Sequence, residues 1–345
     1  MSGDVPEADR EGALAHPREV YELFGHQRQA RAMEEAFATG RMHHAWMIVG
    51  PKGVGKATLA YRLARRALGA APSGEAVLSA SPDDPVCRQI EGLAHPDFLL
   101  IRRPYNEKTK KLKAEITVDE ARKAADFFSR SAGGGAWRVV IVDSADEMNI
   151  NASNALLKTL EEPPKRGLLL LIVEAPGRLL PTIRSRCRRL NLRAPEVEET
   201  RDWLIDRHGV EADAAGRAAS LAQGAPGLAL AHAASGASDL KAEIDRLLSA
   251  LPRLDRGGAM LLAERTSRKG AEASRASLMS FLSQFAQDQA RGAALSGAGP
   301  QAAASWVRAS DELQRLARDA DTLYLDPKQT VLAALDLIED AASAR

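Results

Sequence analysis

A glycine-rich turn ending in lysine, Gly50-Pro-Lys-Gly53-Val-Gly55-Lys56, separates the apolar run AWMIV from the helically spaced segment KATLAYRLARRAL. Strand, turn and helix in that order match the G-x-x-x-x-G-K pattern of a phosphate-binding loop. Its glycines let backbone amides turn inward as an anion nest, the helix start adds partial positive charge, and Lys56 reaches for the outer phosphates. A fully apolar strand feeding such a loop implies a parallel sheet with helices on both faces.

The rest of the first half agrees. DFLLI (97–101), RVVIVD (138–143) and GLLLLIVE (167–174) are further continuous apolar runs. Helical segments alternate with them. Helical spacing begins near Pro17 in VYELFGHQRQARAMEEAFATG and closes at Gly40. Thr117 to Glu120 fits a capping box opening a helix that runs to Gly133-Gly134-Gly135, and NASNALLKTLEE is stopped by Pro163-Pro164. Residues 69–85 read as a loop, and Arg102, Arg103, Lys108, Lys110, Lys111 and Lys113 as a basic hinge. After Pro195 strand signals vanish, and SGAS (235–238) reads as a linker between helical regions. The expected plan is a disordered lead-in over 1–17, an α/β phosphate-loop core over 18–193, a small helical domain over 194–236 and an all-α domain over 237–345.

Composition narrows the function classes. At 345 residues the chain exceeds one compact core, and 45% hydrophobic residues argue against wholesale disorder. Forty-seven basic residues face 46 acidic ones, so any nucleic-acid contact would come from a local patch. No apolar run approaches the ~20 residues of a membrane span, and the first residues lack the apolar stretch of a secretory signal. Cys87 and Cys187 cannot supply a four-sulfur zinc site, so no zinc is expected.

The loop departs from a working site at the positions that carry chemistry. Mg²⁺ ligation needs Ser or Thr after the lysine, and the chain has Ala57. Thr58 follows, but the next helical residue points about 100° away. Asp143, at the end of RVVIVD, stands where a phosphate-loop ATPase keeps its metal-linked acid, yet the next residue is Ser144, which cannot serve as a general base. Asp146 and Glu147 read as loop or helix-capping residues. The pattern is a nucleotide site stripped of its chemistry, with no cofactor required and ATP held weakly at most.

With GHQRQ, HHAW, GPKGVGK, VVIVDSADEMN, NALLKTLEEPP and SRC (185–187) assembled, the chain resembles the delta-prime subunits of bacterial DNA polymerase III clamp loaders, within the AAA+ superfamily. The resemblance covers roughly the first two-thirds. It implies an AAA+ core, a helical lid over 194–236 and an oligomerising helical collar over 237–345. It also implies partners: motor and delta subunits in a hetero-pentamer that opens a sliding clamp and places it on primed DNA, in the bacterial cytoplasm at the replisome, with no membrane role. Arg186 of SRC then corresponds to an arginine finger donated to the ATP of the neighbouring motor subunit. Motor subunits carry a lid arginine where this chain has Gly227, and a polar sensor near Val173, so four chemistry positions are altered together while Arg186 is kept. The competing readings are an active gamma/tau-like AAA+ motor and a phosphate-loop kinase, for which the Ala-rich tail offers no clamping arginines. Read from the residues alone, the basic hinge is a solvated face. Trp306, Leu313 and Leu316 sit at helical intervals that suit packing.

Overall fold

Three strands carry no polar side chain into their centres, and they pair in parallel. The computed structural model describes residues 7–10, 14–129, 137–296, 300–323 and 325–343. Its strands are β1 (Ala45–Val49), β2 (Phe98–Ile101), β3 (Tyr105–Asn106), β4 (Lys111–Leu112), β5 (Arg138–Val142), β6 (Gly167–Val173) and β7 (Arg188–Asn191). Five form one parallel sheet in the order β2-β5-β6-β1-β7, with β1 between β6 and β7, while β3 and β4 make a separate antiparallel hairpin.

Alternation along the buried strands divides the core into two layers, because successive side chains leave opposite faces. Trp46 and Ile48 of β1 join Ile141, Leu170 and Ile172 beneath α1 (Gln27–Ala38) and α2 (Lys56–Ala67). Ala45, Met47 and Val49 join Val140, Val142, Leu169 and Leu171 on the other face. That layer is closed by α4 (Val118–Ser129) and α5 (Ile150–Glu161), with α3 (Pro85–Glu91) and the short α6 (Pro181–Arg184) completing the helices up to β7. The α5 helix starts on Asn149, whose Oδ1 accepts from the Ala152 amide at 2.9 Å.

All described elements after β7 are helical: α7 (Val197–His208), α8 (Ala212–Leu221), α9 (Pro226–Ser235), α10 (Ala237–Leu248), α11 (Arg256–Ser267), α12 (Glu272–Ser296), α13 (Pro300–Leu323) and α14 (Pro327–Ser343). The chain up to Leu204, with Ala222–Ala231, packs as one unit; Ile205–Leu221 and the chain from His232 onward pack as another. The segment 194–236 is thereby shared between them. In the second unit Trp306 and Leu313 are buried in a core with Leu262, Leu282, Leu335 and Ile338, Leu316 packs against it, and Phe285 meets the Trp306 ring edge-on at 5.7 Å.

Four local expectations differ from what the chain does. Helix α1 begins only at Gln27, because Gly25 and His26 take φ of +73° and +60°, left-handed values that break a helix. The SGAS linker shrinks to Gly236, a left-handed single-residue break between α9 and α10. The basic hinge contains the β3–β4 hairpin. The strand β7 lies in a stretch of arginines that carries no apolar run. The Gly133-Gly134-Gly135 break lies outside the described residues.

The lead-in also differs from a free tail where it is described. Asp9 and His16 are buried and paired, His16 Nε2 to Asp9 Oδ2 at 2.9 Å, and Arg102 grips both Asp9 and Glu7. Glu7 also receives Arg18 at 2.8 and 3.1 Å. Two arginines of α2 hold the following backbone: Arg65 donates to the carbonyls of Arg18 and Val20, Arg62 to that of Tyr21. Burial raises the Glu7 carboxyl, but the guanidinium groups of Arg18 and Arg102 outweigh it and leave it lowered to about 2. A carboxylate depressed in the folded state adds stability above its unfolded pKa near 4.5 and loses it as pH falls through the folded value. Thermal melts between pH 5 and 2 should therefore show a steep acid limb, and Glu7→Gln should shift it by a few degrees and flatten it.

Candidate functional site

The phosphate-loop residues meet at the carboxyl end of the sheet, where ligands of open α/β sheets bind. Val49 ends β1, and the loop leaves with Gly50 N donating to Val173 O of β6 at 3.3 Å. Gly53 and Gly55 have φ of +73° and +100°, and Gly55 caps α2. Asp143 lies one strand further, its amide donating to Ile101 O at 2.8 Å. Gly50, Gly53, Gly55, Lys56, Thr58 and Asp143 thus share one end of the fold, as the sequence implies.

The loop's carbonyls are bonded within the protein. Lys56, only 7% exposed, places Nζ 2.8 Å from Gly50 O and 2.7 Å from Pro51 O. His26 Nε2 lies 2.9 Å from Val54 O, and the left-handed turn at His26 is what brings it there. Gly53 O accepts from the amide of Gly227, at the start of α9, at 2.8 Å. The approach is so close that a Cβ on Gly53 would stand 2.4 Å from the Leu228 amide nitrogen. Gly227 presses its backbone onto the loop.

The charges at this end are set by burial. Burial lowers the Lys56 pKa, against the pull of Glu174, Asp143 and Asp146. Asp143 is buried, and burial, helped by the nearby Asp9 charge, pushes its carboxyl up to about 7 even though Ser144 and Lys56 favour the anion. Ser144, at φ +58°, turns its Oγ back onto Asp143 Oδ1 at 3.3 Å. Asp146 accepts from the amides of Glu174 and Ala175 at 3.2 and 2.9 Å, and Glu147 binds Arg103 at 2.7 Å. Both acids serve the local turn. The Ala57 methyl packs against the core, and Val173 is fully buried.

Arg186 lies at the other end of the sheet. Arg188 of β7 is in register with Trp46 of β1, the strands run parallel, and Arg186 precedes Arg188. Asn191, at the far end of β7, is level with Val49 where the loop begins, so the length of β7 and the turn before it separate Arg186 from the loop. Its Nη1 donates to Thr182 O at 3.0 Å and its Nη2 meets Glu161 Oε1, at the end of α5, at 2.9 Å. Burial pushes the adjacent Cys187 thiol up to about 12, so it is a protonated packing group. Cys87 is buried, and His95 Nδ1 accepts from the Asp97 amide at 3.1 Å as a loop residue. No local pattern in the chain signals the contact of His26 with the loop, Glu161 as partner of Arg186, or the Gly227–Gly53 bond.

Residues 25–196 match the family described as DNA polymerase III, delta subunit. DNA polymerase III subunit delta' of Pseudomonas aeruginosa is 37% identical over 161 residues, 47% of this chain and 46% of that protein. The Escherichia coli delta' subunit is 35% identical over 196 residues, 57% and 56% of the two chains. The tau subunit of Escherichia coli is 31% identical over 192 residues, 54% of this chain and 27% of its own length. The chain spans about half the length of the delta' relatives it matches.

A carboxyl whose folded pKa is raised keeps its proton when the unfolded chain has lost it, so stability is full below about pH 4 and declines as pH rises towards 7. Asp143→Asn should remove that decline and leave the chain more stable at pH 8, by of the order of 2–4 kcal/mol at ~1.4 kcal/mol per unit. Denaturant titrations at pH 5 and pH 8 read both effects.

Proposed function

Since the chain belongs, through residues 25–196, to the DNA polymerase III delta-subunit family, we propose that it is a clamp-loader subunit of the delta-prime kind. In this reading it joins motor and delta subunits in a hetero-pentamer, helps place a sliding clamp on primed DNA, and works with the replisome in the cytoplasm. No helix of the described residues is long and apolar enough to cross a membrane.

The observation that carries the reading is the placement of Arg186. It lies at the amino end of the sheet, away from its own phosphate loop, so a guanidinium there serves a nucleotide held by another subunit. An always-charged, planar group supplied in trans stabilises the charge that develops on a transferring γ-phosphoryl. Cys187, packed against the core, and the Arg186 amide donating to Ile183 O at 3.1 Å fix the backbone that presents it, while the bond to Thr182 O holds the guanidinium. Glu161 holds the guanidinium until a phosphate competes for it.

The chain's own residues do not fit a magnesium-bound nucleotide. Ala57 has no oxygen for a metal, Ser144 is no base, Lys56 is engaged by loop carbonyls, and Gly227 brings backbone rather than a guanidinium. These features support a subunit that needs no cofactor or zinc and catalyses nothing alone, and they count against the motor reading. Polymerase activity belongs to the assembled holoenzyme.

In the reconstituted loader on primed DNA, Arg186→Ala should slow ATP turnover at least tenfold, toward the ~10³ of known fingers, while the isolated chain is silent. Unchanged turnover in a mutant loader shown to assemble would leave the chain a passive scaffold. Titration of the isolated chain with fluorescent ATP should show weak or no binding, equal with and without Mg²⁺; micromolar, Mg²⁺-dependent affinity would contradict the closed loop.

A further inference from the structure

The segment between β2 and α4 uses its charges in two ways. Its two arginines face inward: Arg102 is held by Asp9 and Glu7, and Arg103 by Glu147 at 2.7 Å. Its four lysines, Lys108, Lys110, Lys111 and Lys113, are exposed, and none has an ion-pair or hydrogen-bond partner through its side chain among the described residues. They belong to the β3–β4 hairpin, where Tyr105 pairs with Leu112 and Asn106 with Lys111.

A two-stranded hairpin alone is marginal in water. Here the ion pairs fix its root, the Lys113 amide closes onto Pro104 O at 2.9 Å, and Asn106 Oδ1 accepts from the amides of Lys108 and Thr109 at 3.0 and 3.2 Å. Lys110 completes the turn at φ +53°. Lys111 and Lys113, two residues apart, leave the same face at about 6.6 Å spacing, with Lys108 and Lys110 at the tip. The segment is a rigid mount for four unneutralised cations.

We propose that this hairpin is a DNA contact, its four lysines meeting phosphodiester oxygens of the duplex without sequence preference. Lysines are depleted at protein–protein interfaces, which favour aromatic, Met and Arg anchors, and the exposed part of this hairpin has none of these. A compact ammonium on a flexible stem suits a row of phosphates. Tyr105 is half-buried in the hairpin root, so no exposed ring is available for stacking on unpaired bases, which points to the backbone of duplex DNA. Glu107 and Glu115 flank the lysines and are outnumbered by them. The partner class rests on the clamp-loader reading; the charge geometry does not.

The test is fluorescence anisotropy of the full chain with a labelled primed duplex between 50 and 300 mM KCl. Lys108, Lys110, Lys111 and Lys113 are changed together to Ala, and separately to Arg. Each phosphate contact contributes about −0.9 to the slope of log K against log salt, so the alanine variant should flatten the slope by roughly 3 and bind at least tenfold more weakly at 50 mM, while the arginine variant keeps both. An unchanged slope in the alanine variant, or no binding by the wild-type chain at 50 mM, overturns the proposal. So does a variant that keeps DNA affinity but loses a loader partner or the clamp, which would make the hairpin a protein contact. Arg186→Ala separates the two readings: it should leave this slope unchanged, so a silent finger with a hairpin-dependent slope rejects the finger alone.

Discussion

A strand with buried side chains on both faces must be hydrogen-bonded along both edges, because an unpaired amide or carbonyl inside costs ~1–3 kcal/mol. β1 meets that demand by lying between β6 and β7, each parallel to it and each supplied by a distant stretch of chain. Two consequences follow from those pairings. The loop after Val49 emerges in the middle of the sheet's carboxyl end, within reach of Asp143. The turn before β7, which carries Arg186, is fixed at the amino end. One set of ladder bonds thus positions the phosphate loop and Arg186 at opposite ends of the same sheet.

What closes the first face is backbone. Buried polar groups need partners, and the loop's carbonyls find them in Lys56, His26 and the Gly227 amide. Only a glycine tolerates Gly53's left-handed φ and the 2.4 Å separation its Cβ would have from Leu228 N. With Ala57 and Ser144 already unable to hold a metal or activate water, the same glycines that make an anion nest in a working loop here serve close packing against α9. The loop keeps its shape for a structural reason, so the survival of G-x-x-x-x-G-K says little about catalysis without the residue that follows it.

The buried half of this architecture was legible in the sequence because its physics is local. Continuous apolar runs of five to seven residues leave little alternative to covered parallel strands, and the loop motif orients the first of them. β7 escaped because Arg188 and Arg189 are exposed on it; charged residues suit the edge of a sheet and hide the strand's period. The start of α1 escaped because nothing in GHQRQ announces left-handed backbone at a histidine. The lead-in reads as disordered from composition, yet the side chains of Asp9 and His16 are buried, since the arginines that hold the segment lie some fifty to ninety residues further on in α2 and after β2. Pairings of that separation leave no trace in a local window.

The arginines of the chain show how position decides use. Arg62 and Arg65 sit on the buried side of α2, and a guanidinium can be kept there because its donors find the carbonyls of the segment around 18–21, a region without regular ladder bonds of its own. Arg102 and Arg103 are matched by carboxylates and anchor a hairpin. Arg186 combines partial exposure, a half-buried cysteine neighbour packed against the core, and a carboxylate partner that is itself half in water. An exposed pair of that kind is worth no more than about 1 kcal/mol, small beside what a guanidinium gains from a phosphate in a water-excluded site. Release from Glu161 therefore costs little, so the proposed role in trans asks for no rearrangement of β7, which follows Arg186.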